Sequence, residues 1–371
     1  IVASLVGSEM CIRDRDAFGN NDASTLGSKY SIGAAKLSLS GSAVNQRKFA
    51  VPFQGGFDGQ NPAVDRKVGA NIQNTNSQGF DLSSATASGS VAFKRAINAI
   101  SNPDEFDINL LALPGVVHSM HSSVTNHAID KIEDRADAFF IMDGSHYSAS
   151  VQTAISDVAA VDSNYVATYY PWVKIVDSVK GKPTWVPPSV VLPGVYAQND
   201  AIGQEWFAPA GLNRGGLSEV TEAKTRLTNL ERDDLYENRI NPIATFPGQG
   251  VVVFGQKTLQ GKPSALDRIN VRRLLINLRK FIASSSRFLV FEQNTSALRT
   301  RFLNIVNPYL EQVQANSGLS AFRIVMDETN NTPDVVDRNQ LVGQIFIQPT
   351  KTAEFIVLDF VVQPSGAAFE D

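Results

Sequence analysis

The sequence predicts a multi-domain α/β protein, α+β overall, in which a mixed βαβ middle domain precedes an α+β C-terminal domain with an extended final strand. Two observations support this fold class. Short apolar runs alternate with amphipathic segments between positions 105 and 190, which is typical of βαβ units around a mainly parallel sheet. Farther along, two long helical patterns precede three strand-like segments. The expected divisions are 1–15, 16–100, 101–190, 191–349 and 350–371.

The middle domain is predicted to alternate between strand and helix. Its first apolar run stops at Pro114, as a buried strand that ends in a turn would. Val124, Ala128 and Ile132 then share one face of a helix. The predicted strands of this region cover 108–113, 138–142, 165–170 and 172–176. The predicted helices cover 123–135 and 151–161.

The region before the middle domain is rich in glycine, serine, asparagine and alanine. A helix is predicted over 91–100 with Ser90 as its N-cap, because a serine hydroxyl can accept a hydrogen bond from an otherwise unpaired backbone N–H. Residues 1–15 resemble the translation of a sequencing-library adapter, so we exclude them from the fold and expect them to be unstructured. They contain Cys11, the single cysteine of the chain. The sequence is therefore expected to lack its true N-terminus.

The C-terminal region is predicted to contain two long helices and several strands. In the first helix, apolar residues recur at helical spacing: Val271, Leu274, Leu275, Leu278, Phe281 and Ile282. Four basic residues are assigned to the opposite, solvent-facing side: Arg272, Arg273, Arg279 and Lys280. The second helix is predicted to run from an N-cap at Asn294 to a terminating Gly318. Strands are predicted at 288–291, 322–326, 341–348 and 354–362.

Composition excludes several classes of function. The 371 residues are 43% hydrophobic and carry a net charge of −4, so the chain lacks the basic excess typical of nucleic-acid binders. The sequence has no run of 18 or more apolar residues that would predict a membrane span. Without a cysteine outside the adapter-like segment, neither a disulfide framework nor a zinc ribbon is predicted. We therefore expect neither nucleic acid nor membrane as a partner.

No catalytic, metal or cofactor site is predicted from the sequence. His118, His121 and His127 are residues of a metal-binding type, but no further defined ligand stands at a supporting distance. Five residues separate Gly255 from Gly261, whereas a phosphate-binding loop has four. The sequence also contains no Gly-x-Ser-x-Gly motif of the kind that presents a hydrolase nucleophile. These patterns favour a protein that is not an enzyme.

A different kind of pattern runs through the C-terminal half. Residues 185–212 read WVPPSVVLPGVYAQNDAIGQEWFAPAGL, an order that no metal or nucleophile chemistry requires. Five further blocks follow in order: RINPI at 239–243, FPGQGV at 246–251, GQKTL at 255–259, INVRRL at 269–274 and FEQN at 291–294. These six blocks resemble the contractile tail sheath proteins of bacteriophages and related injection machines.

The resemblance implies a mechanical function. Copies of the chain would stack as hexameric rings around a tail tube and contract, driving the tube through the host envelope. The implied partners are other copies of the chain, the tail tube protein, and the baseplate and tail terminator proteins. Assembly in the host cytoplasm and a final location in the tail of the virion are implied as well. Two alternatives remain: the sheath of a phage-derived injection or secretion apparatus, and an uncharacterised α/β enzyme built on residues 105–190.

Two sets of residues are candidate contact sites. The last predicted strand is apolar on both faces, and such a strand needs cover on both or pairing with another chain. The resemblance implies that it completes the sheet of an adjacent subunit, and the alternative is an internal strand. Its residues are Glu354, Phe355, Ile356, Val357, Leu358, Asp359, Phe360, Val361 and Val362. The basic set, namely Arg272, Arg273, Arg279 and Lys280, would contact another subunit or the tube, or form an ordinary solvated helix face.

Overall fold

The computed structural model describes residues 71–177 and 181–354. The chain divides into two compact units, Ile1–Asn71 and Ile72–Asp371, and the described residues belong almost entirely to the second. The adapter-like segment 1–15 lies outside the described residues, as do 16–70 and the chain after Glu354.

The strands and helices of the described residues alternate through most of the second unit. The strands are β1 Leu110–Val117, β2 Phe139–Asp143, β3 Val166–Tyr170, β4 Val173–Asp177, β5 Lys182–Val186, β6 Val220–Ala223, β7 Ile240–Phe246, β8 Gly250–Val253, β9 Leu319–Val325 and β10 Gln344–Pro349. The α-helices are α1 Ser88–Ala99, α2 His118–Arg135, α3 Val151–Val158, α4 Leu192–Ile202, α5 Asn229–Glu237, α6 Ile269–Ser286, α7 Ser296–Ala315 and α8 Pro333–Asp337. None of these helices is long and apolar enough to cross a membrane.

The largest sheet has the strand order β1-β2-β3-β7-β8. Its first four strands are parallel, and β8 pairs antiparallel with β7 through a tight hairpin. Helix α2 connects β1 to β2 and helix α3 connects β2 to β3, because parallel neighbours require a crossover. The predicted α/β class with a mainly parallel sheet is confirmed.

Both faces of this sheet are covered, as a parallel sheet requires. Helices α1, α2 and α3 cover one face, where Val124, Ala128 and Ile132 are buried against Phe140 and Met142. Helices α4 and α6 cover the other, where they meet alternate residues of the same strands: Phe139, Ile141, Tyr169, Leu192, Tyr196 and Ile269. All five residues of β2 are buried, which explains why the continuous apolar run at 138–142 predicts this strand well.

Two of the element boundaries that differ from the sequence prediction are those of β1 and α1. Strand β1 does not stop at Pro114 but continues through a register shift. The Ser77 hydroxyl donates to the Gly115 carbonyl at 2.6 Å, and Gly115 has a left-handed φ of +88° that a glycine adopts without steric cost. Ser90 does not cap α1, because the helix begins at Ser88 and Ser90 is buried in its first turn.

The remaining strands form two smaller antiparallel sheets. One has the order β5-β4-β6 and packs on the same core as α4 and α6. The other is the pair β9–β10, which packs with α6 and α7 around a separate apolar cluster. Residues at the centre of that cluster are Trp206, Leu274, Leu278, Phe302, Val306 and Leu310. Helix α6 therefore contributes to both the α/β core and the C-terminal core.

The predicted strand at 288–291 is wrong. A 3₁₀ turn, Arg287–Leu289, follows directly on α6, and Phe291 has a left-handed φ of +69° that cannot continue a strand. Within the described ranges this segment pairs with no other strand. An apolar run indicates burial, but in this run only Leu289 is buried, and the other three side chains are exposed.

The ends of α7 lie close to the predicted positions but use other residues. Thr295, not Asn294, is the N-cap, and its hydroxyl accepts from the Leu298 N–H. The Asn294 amide donates instead to the Gln340 carbonyl at 2.9 Å. At the other end Ser317 takes the left-handed conformation, and the Gly318 N–H returns to the Val313 carbonyl, which satisfies an otherwise unpaired acceptor.

Candidate assembly surface

The pair β9–β10 presents backbone edges at the surface. The strands are antiparallel, with Phe346 opposite Arg323. Ile345 and Ile347 pack toward the C-terminal core, whereas Phe346 faces away and is 55% exposed. Among the described residues β9 and β10 pair only with each other. Among the described residues each of these strands therefore has one side with no strand paired to it, and such a sheet edge can pair with a further strand.

After β10 the chain crosses to the α/β part and reaches a cluster of polar side chains around Glu354. Arg268 Nε donates to Glu354 Oε1 at 2.7 Å, and Gln256 Nε2 donates to the same oxygen at 3.0 Å. Gln256 Nε2 also donates to Thr352 Oγ1 at 2.6 Å. We call Tyr236, Gln256, Arg268 and Glu354 the Glu354 clasp. Residues 355–362, the rest of the predicted inter-subunit strand, lie outside the described residues.

The electrostatics of the Glu354 clasp favour a charged carboxylate. Burial by itself would raise the pKa of Glu354, but hydrogen bonds from Arg268 and Tyr236 outweigh it and hold that pKa below its ordinary value. Burial, together with the nearby Glu354 charge, raises the pKa of the Tyr236 hydroxyl, which stays a donor. Hydrogen bonds to an ionised acceptor are about twice as strong as those between neutral groups. Glu354 is therefore firmly held at the α/β part.

Arg272 and Arg273 do not face solvent, so the predicted solvent-facing placement of these two residues is wrong. They are 8% and 5% exposed, respectively. The Arg272 guanidinium lies 3.5 Å from the centroid of the Tyr165 ring and donates to Asn164 Oδ1 at 2.6 Å. Arg273 pairs with Asp200. The physical reason is that the first turns of α6 are covered on every side, so its polar positions are buried with its apolar ones.

The other two basic residues of the set lie farther along α6. Arg279 is exposed. Lys280 is half-buried, and its ammonium donates to Asp107 Oδ1 at 2.5 Å, to the Ile108 carbonyl at 2.7 Å and to Asn109 Oδ1 at 2.5 Å. Lys280 thus ties α6 to the segment that leads into β1. Of the four basic side chains, Arg279 alone is exposed.

An exposed apolar segment follows α6. Phe288 is 79% exposed, Val290 is 59% exposed and Phe291 is fully exposed. The adjacent Arg287 pairs with Asp104, and both of these side chains are largely exposed. Neighbouring exposed apolar side chains are typical of contact surfaces. This segment is a second candidate contact of the C-terminal part.

The histidines make hydrogen bonds that explain their positions without a metal. His118 Nδ1 contacts Thr125 Oγ1 at 2.8 Å. His121 Nδ1 accepts from the Val117 N–H at 3.1 Å. Burial lowers the pKa of both imidazoles, so the neutral forms are favoured. Within 71–177 and 181–354, no three His, Cys, Asp or Glu side chains are grouped as metal ligands would be.

Several residues of the sequence blocks turn out to connect elements that are distant in the sequence. Asn241 is fully buried in β7; its amide donates to the Thr168 and Lys257 carbonyls, and its oxygen accepts from the Lys257 N–H at 2.6 Å. The Ser189 hydroxyl and N–H both donate to Asp143, at 2.5 and 3.0 Å. A buried polar group needs such partners. The blocks themselves were the only sequence signal for these roles.

Two adjacent family models match the chain. The model described as the phage tail sheath protein central domain matches residues 89–259, and the one described as the phage tail sheath C-terminal domain matches 261–363. Together they extend over both cores and the Glu354 clasp.

Individual relatives agree with the family models. The tail sheath proteins of Vibrio phage KVP40 and Enterobacteria phage T4 are each 38% identical to this chain, over 57% and 58% of its length and 31% and 32% of theirs. The matched segment thus spans about a third of these curated relatives. Among solved structures, the contracted helical sheath of the anti-feeding prophage is 26% identical, with a TM-score of 0.59 and 76% of each chain covered.

Proposed function

Because the chain belongs to the phage tail sheath family, we propose that it is a structural subunit of a contractile phage tail sheath. It polymerises around the tail tube and contracts to drive the tube through the host envelope. The observation that carries this proposal is the pair of family models, which together cover residues 89–363 almost without a gap. No catalytic or cofactor role is part of the proposal.

The partners follow from that function. Copies of the chain stack as hexameric rings on the tail tube protein, between the baseplate and the tail terminator proteins. Assembly takes place in the host cytoplasm and the product is part of the virion tail. The division into a middle domain at 101–190 and a C-terminal domain at 191–349 is kept as a prediction, although β7 and β8 lie in the same sheet as β1, β2 and β3.

The edges of β9–β10, which pair with no other described strand, support a specific way of linking subunits. An arriving strand can add its backbone hydrogen bonds to a sheet edge, and the predicted strand 354–362 carries apolar side chains on both faces. We assign this segment to the sheet of a neighbouring copy. Continuous strand pairing keeps the lattice connected while the bulkier parts rotate, and contraction is a shift of population toward better-packed contacts between subunits.

Three of the four basic candidates are less suited to ionic contacts between subunits. Arg272 and Arg273 are engaged inside their own subunit, and Lys280 is tied to the segment before β1. Arg279, together with the exposed Phe288 and Phe291, supplies the outward contact to the tube or a neighbour. Exposed ion pairs are weak and sensitive to salt, which suits contacts that are exchanged during contraction.

A phage-derived injection apparatus is the second candidate, because the anti-feeding prophage sheath shares the fold. Sequence identity favours the phage tail: it is 38% to the two phage proteins, over 57% and 58% of the chain, and 26% to the anti-feeding prophage sheath, over 76% of the chain. This difference is the specific observation that ranks the two functions.

Electron microscopy of the purified complete gene product tests the proposal. We expect tubes of stacked rings, with a variant lacking residues 355–371 as the control that stays unassembled. Discrete particles with catalytic turnover would instead support the α/β enzyme and contradict the proposed function.

A further inference from the structure

The last described residue, Glu354, does not extend the β9–β10 pair but is bound by another part of the molecule. Its carboxylate accepts from Arg268, just before α6, and from Gln256, just after β8. Gln256 is 4% exposed and also binds Thr352. Thus two positions of the chain between β10 and the C-terminal segment are fixed to the α/β part.

Arg268 and Gln256, which bind Glu354, are held in place by backbone hydrogen bonds. The Ile269 N–H donates to the Gln256 carbonyl at 2.9 Å, and the Thr258 N–H donates to the Asp267 carbonyl at 2.9 Å. A strand-like bridge pairs Lys257 with Arg268. The segment after β8 and the start of α6 therefore form one rigid support, so Arg268 and Gln256 reach Glu354 from fixed positions.

We propose that Glu354 is the fixed start of the inter-subunit segment. Residues up to Glu354 stay on their own subunit through the Glu354 clasp, ahead of the segment that the proposed function assigns to a neighbouring copy. This inference rests on the proposed function and changes the predicted inter-subunit strand from 354–362 to 355–362.

The clasp has a mechanical consequence. A strand that pairs with a neighbour transmits any pull back along its own chain. Without an anchor the next element to receive that pull is β10, and a two-stranded sheet is only marginally stable in isolation. The Glu354 clasp directs the pull into Arg268 and Gln256 instead, and hence into α6 and the α/β core. The β9–β10 pair is thereby kept intact as an acceptor for a neighbour's strand.

The first arm of the test asks whether the clasp exists within one chain. The complete gene product is studied at a dilution where sedimentation shows monomers. We expect E354Q and R268Q each to lower the Tm by about 2–4 °C, and the double variant to lower it no further than either single change. Additive losses in the monomer would overturn the proposal, because the two side chains would then not interact within a subunit.

The second arm uses charge reversal in assembly. E354R and R268E each break the clasp, and we expect at least about a tenfold loss of sedimentable tubes, since each also leaves like charges close together. The double variant E354R/R268E restores an opposite pair within one chain and is expected to assemble. An equimolar mixture of the two single variants restores the pair only between chains and is expected to stay unassembled.

The outcomes separate this inference from the proposed function. If the mixture assembles as well as the double variant, the contact is made between subunits and the proposal is wrong. If the single variants assemble like the unaltered chain, the clasp has no role as an anchor. If the unaltered chain forms no tubes while E354Q and R268Q still couple in the monomer, the proposed function fails and the clasp within one chain stands.

Discussion

Arg273 and Asp200 join α6 to α4 through two parallel hydrogen bonds, with Nη1–Oδ1 at 2.8 Å and Nη2–Oδ2 at 2.5 Å. The Arg273 guanidinium also lies over the Tyr196 ring, 4.9 Å from its centroid. Its side chain is 6% exposed, so the pair compensates a charge that water cannot reach. Since α6 contributes to both cores, this ion pair fixes the C-terminal helices to the α/β sheet.

Removing Arg273 should therefore cost stability. We expect R273A to lower the free energy of unfolding by about 3 kcal/mol, the lower end of the range for breaking a buried pair, because Asp200 keeps some contact with water. Arg279 on the same helix is exposed, and R279A serves as the matched control with a change within about 0.5 kcal/mol. Urea unfolding of both variants measures the difference. Equal losses would show that Arg273 is not a buried ion-pair residue.

Asp143 predicts a specific dependence of stability on pH. Burial raises its pKa to about 7, although hydrogen bonds from Ser189 oppose the shift. The folded chain thus holds a proton on Asp143 that the unfolded chain releases near pH 4. Stability contributed by this group is complete below pH 4 and is lost as the pH rises through about 7.

The variant D143N isolates this effect, because an asparagine can still accept from the Ser189 N–H but carries no charge. Each unit of pKa shift corresponds to about 1.4 kcal/mol. Between pH 4.5 and 7.5 the free energy of unfolding of the unaltered chain should therefore fall by a few kcal/mol relative to that of D143N. Comparing the two proteins at each pH cancels the titration of all other groups. Parallel stability profiles for the two would contradict a raised pKa at Asp143.

Much of the fold follows from local sequence. The run at 138–142 predicts β2 because a continuous apolar stretch fits a strand that is buried on both faces. The stripe of Val124, Ala128 and Ile132 predicts α2 because these three residues form the buried face of the helix. The similar run at 288–291 misleads, since nothing local indicates that its neighbours leave it on the surface.

The assembly surface was less predictable. Helical periodicity places Arg272 and Arg273 opposite the apolar stripe, but their partners Asn164 and Asp200 are 108 and 73 residues away. Burial of a polar residue by such distant elements leaves no local pattern. The Glu354 clasp also leaves no local pattern, because Arg268 precedes Glu354 by 86 residues. Of the residues in the clasp, only Gln256 lies within one of the six family blocks.

Asn241 gives a third prediction about stability. It is fully buried and satisfies three backbone groups, those of Thr168 and Lys257. N241A should lower the free energy of unfolding by about 2–4 kcal/mol, because it leaves these groups buried without partners. Asn304 is exposed on α7, and N304A is the control with little expected effect. A small loss in N241A, measured by thermal melting beside the control, would mean that water replaces the lost amide.

Paired truncations test the C-terminal segment itself. A chain ending at Glu354 keeps the Glu354 clasp, whereas one ending at Pro349 removes it together with Thr352. Both should be folded and unable to assemble, because an exchanged strand contributes hydrogen bonds and apolar burial to the lattice and not to its own core.

The two truncated chains should still differ in stability. The shorter one leaves Arg268 and Gln256 without their acceptor and should be less stable by about 1–3 kcal/mol. Circular dichroism, melting curves and sedimentation of each form, beside the complete gene product, give the measurement.

If the strand is internal, ending the chain at Glu354 strips a core of the Phe355, Val357 or Phe360 side chain, at a cost of about 3–5 kcal/mol for a buried phenylalanine. Unfolding or aggregation of that longer truncation would therefore refute strand exchange in favour of an internal strand.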